Sequence, residues 1–220
     1  MSSSSAVLDR LQTGGGIADD LLAKLILCGA VRRLSADARR ELLGAVREKE
    51  AEGYDLAHAD GTLELLVREA AQPGSRFFKV LDYEVTTRMR AALGFETKAQ
   101  VTVEAEGAIL TAHASGHGPV NALDVALRQC LATVYESIGK VRLIDYRVCM
   151  LEPDAGTAAR VRVSIDWSDS DKSWITTGVS EDIIEASWLA LTGAIRLELM
   201  RLLETNPALA AAADDNSWAV

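Results

Sequence analysis

Two histidines near the middle of this sequence are the residues most suited to binding a metal ion. His113 and His117 are four positions apart, a spacing that puts two side chains on one face of a helix and suits zinc. Here, however, His113 ends a segment of strand-like alternation and His117 lies in a glycine-rich turn, so the rings share no helical face. No third ligand stands at a suitable spacing. We therefore predict no metal site.

Four aspartates in the second half of the chain are the candidates for acid–base chemistry: Asp145, Asp166, Asp169 and Asp171. Asp166 falls on the solvent-facing side of a predicted strand, and the last two fall in a polar turn. Carboxylates act as an acid–base pair only when both reach one substrate, and this pattern gives no such pair. The serine-nucleophile motif Gly-x-Ser-x-Gly is also absent from the sequence. We therefore predict no catalytic residues.

The segment Gly116-His117-Gly118-Pro119 stands directly before a predicted helix and has three interpretations. As a phosphate-binding loop it matches neither the dinucleotide fingerprint nor the P-loop, and Pro119 lacks the amide hydrogen that such a loop donates. As a tight strand-to-helix turn it uses glycine in the ordinary way. In the third interpretation, the helix start binds the carboxylate of a small ligand. The residues alone favour the turn.

A run of small residues, Asp154-Ala155-Gly156-Thr157-Ala158-Ala159, lies between two predicted strands. It is either a simple connecting turn or a wall of a binding pocket. In the second interpretation, the small side chains leave room for a branched aliphatic ligand.

A unit of three strands and one amphipathic helix positions these residues, and it occurs twice, about sixty residues apart. In the first unit, strands predicted over 78–89, 100–106 and 108–114 lead to a helix that begins at Pro119. In the second, the predicted strands are 141–151, 158–167 and 172–177, and Ser180 is the predicted cap of the last helix. This order predicts an α+β fold with two pseudo-symmetric βββα units and a seam between them.

A block of helices precedes the two units. Helices are predicted over 17–33, over 38–50 with Ser35 as the cap and Gly53 as the stop, and over 61–71. The predicted domain boundaries are therefore as follows: a disordered leader over 1–16, a helical linker subdomain over 17–74, the two-unit domain over 75–205 and a flexible tail over 206–220.

The composition excludes several classes of function. The chain has 220 residues and a formal net charge of −9, which disfavours nucleic acid and anionic membranes as partners. No apolar run reaches the roughly eighteen residues of a membrane span, and the first residues lack the features of a signal peptide. The three cysteines are isolated from one another. They are expected to be reduced core thiols of a cytoplasmic protein.

Several motifs of the second half resemble a known family. They are GPVNALD at 118–124, LxDYxV at 143–148, GTAARVRV at 156–163 and SWxTxGVSE at 173–181. Together they resemble the C-terminal regulatory domain of the 2-isopropylmalate synthase family, and among its branches the citramalate synthases most. The resemblance covers about residues 75–203, and the segment 52–68 resembles the linker subdomain that precedes this domain in citramalate synthases.

In that family, a catalytic barrel precedes these parts, binds a divalent metal and condenses acetyl-CoA with a 2-keto acid. Such a barrel alone needs about 250 residues, more than this sequence contains. The resemblance therefore implies a sensor and its connector without the active site, and without a cofactor of its own. The chain is then a fragment of a longer acyltransferase or a free-standing regulatory protein, and is expected to be inactive when isolated.

The regulatory domains of the family dimerise and bind leucine or isoleucine at the pseudo-symmetric seam. The resemblance implies that ten residues of this chain contact the effector: Val120, Asn121, Leu143, Tyr146, Met150, Ala155, Thr157, Gly178, Val179 and Ser180. The expected function is feedback inhibition in branched-chain amino acid biosynthesis, as a homodimer that acts on a barrel in cis or in trans. The alternative is a dimerisation or docking module that binds no amino acid.

Overall fold

The computed structural model of the chain describes residue 31 and residues 34–73, 77–92, 94–135, 138, 141–169 and 171–205. The predicted leader over 1–16, the predicted tail over 206–220 and, apart from Val31, the predicted helix over 17–33 lie outside the described residues.

Two helices form a small block ahead of the sheets. Helix α1 spans Ala36–Glu52, and the hydroxyl of Ser35 accepts a hydrogen bond from the Ala38 amide at 3.1 Å, as a cap does. The helix ends at Gly53, whose φ of 104° is in the left-handed region that favours glycine. Helix α2 spans Asp60–Ala71 and packs on α1 around a separate apolar cluster. The predicted cap and stop are both confirmed.

The first βββα unit follows, as predicted. Strands β1 (Lys79–Arg90), β2 (Gly94–Ala105) and β3 (Ala108–Gly116) form an antiparallel sheet in that order, and helix α3 spans Pro119–Ala132. Strand β2 begins six residues before the predicted start at residue 100. Glu96 and Lys98 are exposed there, and the buried residues that alternate with them, Thr97 and Ala99, are small, so the apolar alternation is weak.

The second unit repeats the first. Strands β4 (Arg142–Met150), β5 (Val161–Ser168) and β6 (Ser173–Ser180) again form an antiparallel three-stranded sheet, and helix α4 spans Ile183–Thr205. A short 3₁₀ helix joins β4 to β5 over Pro153–Ala158. The α+β class and the two βββα units are confirmed.

The predicted cap of the last helix is wrong. Ser180 is the last residue of β6, and the carboxylate of Asp182 caps α4 by accepting a hydrogen bond from the Ile184 amide at 2.7 Å. The hydroxyl of Ser180 instead accepts from the Asp182 amide at 3.1 Å, which stabilises the turn between strand and helix. Both residue types make good caps, so the sequence alone does not separate them.

The repeat extends to an irregularity in the first strand of each unit. In β1 the pairing register shifts between Val80 and Asp82, and in β4 it shifts between Leu143 and Asp145. Each shift is a β-bulge with one extra residue, which keeps the tyrosine that follows on the inner face of its sheet.

Helices α3 and α4 and the inner faces of both sheets share one core, in which Leu123, Leu127, Ile165, Trp167 and Leu191 are fully buried.

The helical block is attached to the second sheet along the edge of β6. The Ile175 amide donates to the Asp60 carboxylate and the Thr177 amide to the Thr62 hydroxyl, each at 2.8 Å. Two amides along the edge of β6 are thereby paired, which protects this part of the strand edge. Glu64 of α2 also binds Arg201 near the end of α4.

Candidate functional site

Three of the predicted contact residues lie on the inner face of β4. Leu143, Tyr146 and Met150 pair across the strands with Trp167, Ile165 and Val161, which alternate along β5. Residues three apart in a strand normally point to opposite faces, but the bulge after Leu143 restores a common face for Leu143 and Tyr146. The sheet therefore groups these three side chains, with Val148 between the last two.

This inner face of β4 is open to solvent. Leu143, Val148 and Met150 are all exposed, Met150 at 47%, because α4 packs over β5 and β6. Tyr146 is half-buried, and its hydroxyl forms a 2.7 Å hydrogen bond with that of Ser187 on α4. A contiguous apolar face of this kind is typical of a surface that binds a ligand or another protein.

Gly178 places the start of α4 close to the sheet. It is buried on the inner face of β6, and a Cβ atom there would lie 2.1 Å from the backbone oxygen of Ala186. Glycine at this position lets strand and helix approach without a clash. Ser180 lies on the same face, whereas Val179 points to the other face and packs against the helical block. The fold thus brings Gly178 and Ser180, but not Val179, to the face that carries the β4 residues.

The start of α4 is acidic. Asp182 accepts from the first-turn amides, and Glu185 accepts a hydrogen bond from the hydroxyl of Ser180. Burial raises the pKa of Tyr83 in the first unit, and the charges of Glu185 and Asp182 raise it further. The Tyr83 ring stacks on Trp188 of α4 at 4.8 Å, so α4 of the second unit contacts the inner face of β1 at this half-buried residue. Carboxylates here stabilise the helix dipole and occupy the amides that an anion would bind.

The start of α3 differs from that of α4. Gly118 stands at its cap position, and no side chain caps the helix. Val120 is half-buried and Asn121 is exposed, and the Asn121 side-chain oxygen accepts from the His117 amide at 3.1 Å. An uncapped helix start of this kind can bind a carboxylate through its backbone amides. Among the three interpretations of this segment, the structure supports the turn and is compatible with carboxylate binding.

Ala155 and Thr157 lie in the 3₁₀ helix, and both are exposed. They stand at the end of β4 and form no enclosed wall with its inner face in the single chain. Two surface cavities, of about 370 and 710 Å³, lie against the outer faces of the first and second sheets, and neither is lined by any of the ten predicted residues. In the described part of the chain, no group of three or more His, Cys, Asp or Glu side chains could hold a metal ion.

A model of the LeuA allosteric (dimerisation) domain matches residues 58–198. The chain belongs to this family. The match covers α2, both sheets, α3 and most of α4, which is the part of the fold that the repeat organises. The resemblance predicted from the motifs of the second half is confirmed.

Curated relatives of the chain include several citramalate synthases. The (R)-citramalate synthase of Streptomyces coelicolor is 38% identical over 184 residues, which cover 81% of this chain and 34% of that protein. That of Aquifex aeolicus is 37% identical over 163 residues, 74% of this chain and 31% of the relative. The 2-isopropylmalate synthase of Acidimicrobium ferrooxidans is 36% identical over 111 residues, 50% of this chain and 20% of the relative. The chain therefore spans about a third of the length of the citramalate synthases that it matches.

Within the described residues, no helix is both long enough and apolar enough to cross a membrane.

Two features of the site were not predicted from the sequence. Val148 belongs to the open face of β4, and its place two residues from both Tyr146 and Met150 in a strand could have indicated this. The cover that Trp188 gives to Tyr83 joins the two units, and no local pattern signals a contact between such distant residues.

Proposed function

We propose that the LeuA-type domain of this chain binds isoleucine or leucine as a homodimer and thereby feedback-inhibits a citramalate synthase. The catalytic part of that synthase lies on the same polypeptide or on another one. The observation that carries the proposal is the open apolar face of β4 beside the start of α4, in a domain whose family is named for allostery and dimerisation. The relatives are named as citramalate synthases, which supports the choice of enzyme.

The chemistry of an amino acid effector fits the residues at the two helix starts. Leu143 and Met150 offer an apolar wall for an aliphatic side chain, at about 25 cal/mol per Å² of buried apolar surface. The uncapped start of α3, at Val120 and Asn121, suits an α-carboxylate. The acidic start of α4 suits an ammonium group. Because the face of β4 is open in one chain, a second copy is needed to enclose the effector.

The signal would reach the rest of the enzyme through the edge of β6. The same strand carries Gly178 and Ser180 on one face and donates its Ile175 and Thr177 amides to α2. A shift of β6 on effector binding therefore moves the helical block that follows the catalytic part in the family. Such coupling requires that the effector bind two states of the protein with different affinity.

Isothermal titration with isoleucine, leucine and valine tests this proposal on the 220-residue chain. We expect binding heat from isoleucine or leucine. Met150→Glu should weaken binding by tenfold or more, because it places a charge in the apolar wall. The control is Ile144→Glu, an exposed residue of the same strand at the bulge position. A folded dimer that gives no heat with any of the three amino acids would exclude effector binding.

Two observations favour the alternative of a docking module that binds no amino acid. The first-turn amides of α4 are already occupied by Asp182, and neither of the two cavities described above is lined by the predicted residues. In that case, the chain would dimerise and bind a citramalate synthase barrel equally well with and without amino acids. The isolated chain should give no acetyl-CoA condensation in either case, and sustained turnover would contradict both functions.

A further inference from the structure

The β1–β2 hairpin projects beyond the core and ends in an exposed apolar pair. Its two strands have 12 residues each, whereas the equivalent strands β4 and β5 have 9 and 8. Met89 pairs with Phe95 across the tip, two positions beyond the Thr87–Thr97 pair of the inner face. Met89 is 63% exposed and Phe95 is 77% exposed. Two large apolar side chains at this level of exposure are typical of a contact surface.

The hairpin tip is also basic in an acidic protein. Residues 88–98 contain Arg88, Arg90 and Lys98 against the single carboxylate of Glu96, within a chain of net charge −9. Lys98 lies 2.8 Å and Arg90 3.8 Å from the Glu96 carboxylate, so this one negative charge is shared between them. The tip therefore carries a local excess of positive charge, which attracts an acidic surface.

A surface of opposite character lies in the second unit. We call it the β4 strip and define it by four residues: Tyr146, Val148, Met150 and Ile183. Three of them are exposed and apolar, and Tyr146 is tied to the first turns of α4 through Ser187. Glu181, Asp182 and Glu185 stand at the start of α4. Arg160 is a cation near this region: it is paired with Glu152, and its charge also interacts with Glu181.

The pseudo-symmetry explains why the β4 strip is left open. The strand registers show that Tyr83 of the first unit is equivalent to Tyr146 of the second. Helix α3 begins at Pro119 and α4 at Ile183, 64 residues later. With the same offset, Asp124 of α3 is equivalent to Trp188 of α4. Trp188 covers the Tyr83 face within the chain, whereas Asp124 is bound to Arg128 on its own helix at 2.8 Å. The second unit thus lacks the aromatic cover that the first unit has.

From these observations we propose that the hairpin tip of one copy of this chain packs on the β4 strip of a second copy. This inference rests on the proposed homodimer and names its interface. Met89 and Phe95 lie on the apolar strip. Arg88 and Arg90 alternate with Met89 along β1 and so leave the opposite face of the hairpin, and their long side chains reach around its edge to Glu181 and Glu185 of the partner copy. A twofold axis makes the contact reciprocal, so each dimer contains it twice. Packing one β4 strip on another would instead bring two acidic helix starts together.

Charge reversal tests the interface, with the dimer dissociation constant measured by sedimentation equilibrium at low salt. Arg88→Glu with Arg90→Glu should raise this constant roughly tenfold or more, because like charges then face each other. Glu181→Arg with Glu185→Arg should do the same. A chain that carries all four changes should regain most of the affinity, since every reversed charge meets a reversed partner. The matched control is the double variant Lys79→Glu, Arg40→Glu, at exposed positions away from the tip.

A second variant tests the apolar part of the contact. Phe95→Asp should weaken the dimer by tenfold or more and leave the unfolding of the monomer unchanged, because the ring is 77% exposed in the single chain. A wild-type chain that stays monomeric at all concentrations would overturn the homodimer and the interface together. A wild-type dimer that is unaffected by Phe95→Asp and by both charge reversals would overturn this interface alone. If Met150→Glu still weakened that dimer, the strips would pack on each other.

Discussion

The close approach of α4 to β6 at Gly178 makes the start of the helix sensitive to a single methyl group. In Gly178→Ala, the new Cβ would lie 2.1 Å from the backbone oxygen of Ala186 and 2.8 Å from the Cβ of Leu189. Because the nearest obstacle is backbone, no side-chain rotation relieves the contact. The helix start must retreat by about 0.9 Å for the nearest distance to reach 3.0 Å.

The expected cost follows from what this retreat disturbs. Forcing an extra carbon into a packed core costs about 1–3 kcal/mol. The retreat also strains the 2.8 Å hydrogen bond from the Thr176 hydroxyl to the Ala190 oxygen, a bond worth about 1 kcal/mol. Alanine has less conformational freedom than glycine in the unfolded chain, and this stabilises the folded protein by about 0.4–1 kcal/mol. We therefore expect Gly178→Ala to lower the free energy of unfolding by about 2 kcal/mol.

Urea unfolding followed by tryptophan fluorescence and circular dichroism measures this loss. The matched control is Gly44→Ala in α1, where a Cβ would meet nothing within 4 Å and the residue is exposed. That variant should gain about 0.5–1 kcal/mol, because glycine is a poor helix former. If Gly178→Ala stays within 0.5 kcal/mol of wild type with an unchanged denaturant slope, strand and helix are not this close. The geometry of the candidate site would then be wrong.

Three further outcomes are expected. Tyr146→Phe should lower the free energy of unfolding by about 1 kcal/mol in urea, because it removes the hydrogen bond between the Tyr146 and Ser187 hydroxyls, while Ser187 keeps its bond to the Ile183 backbone oxygen. Burial alone would raise the pKa of Glu64, but its hydrogen bonds to arginines, first among them Arg201, outweigh this and lower it. The stability difference between wild type and Glu64→Gln should thus be full above pH 4.5 and shrink as pH falls through the lowered pKa, as acid titration followed by circular dichroism would show. Cys149 is exposed, contrary to the expected core position, whereas burial raises the pKa of Cys130. In a variant that lacks Cys28, a thiol reagent should therefore label Cys149 faster than Cys130, as mass spectrometry of the labelled peptides would show.

The order of elements could be predicted from the sequence because local patterns determine it. Strict alternation from Val161 to Trp167 identifies a strand with one buried face, and the structure buries Val163, Ile165 and Trp167. The hydroxyl of Ser35 suits the start of a helix, and the absence of a side chain at Gly53 suits its end. In the structure, Ser35 caps the start of α1 and Gly53 ends it. These signals need only neighbouring residues, so a single sequence contains them.

The surroundings of each face could not be predicted in this way. Alternation places Tyr146, Val148 and Met150 on one face of β4, but the same pattern would serve a face that is covered within the chain. The bulge that aligns Leu143 with Tyr146 depends on the pairing with β5, and local residues do not specify it. Whether a face is covered depends on contacts between residues far apart in sequence.

The two units therefore use one fold for two different purposes. Trp188 closes the first unit by stacking on Tyr83, whereas the equivalent helix position in the second unit is Asp124, which pairs with Arg128 instead. The large aromatic ring at one position of the repeat and the short carboxylate at the other leave the face around Tyr146 more open to solvent than the face around Tyr83. Val148 beside Tyr146 is exposed, whereas Val85 beside Tyr83 is half-buried. The asymmetry within the repeat thus directs the search for an effector, and for a second copy, to the second unit.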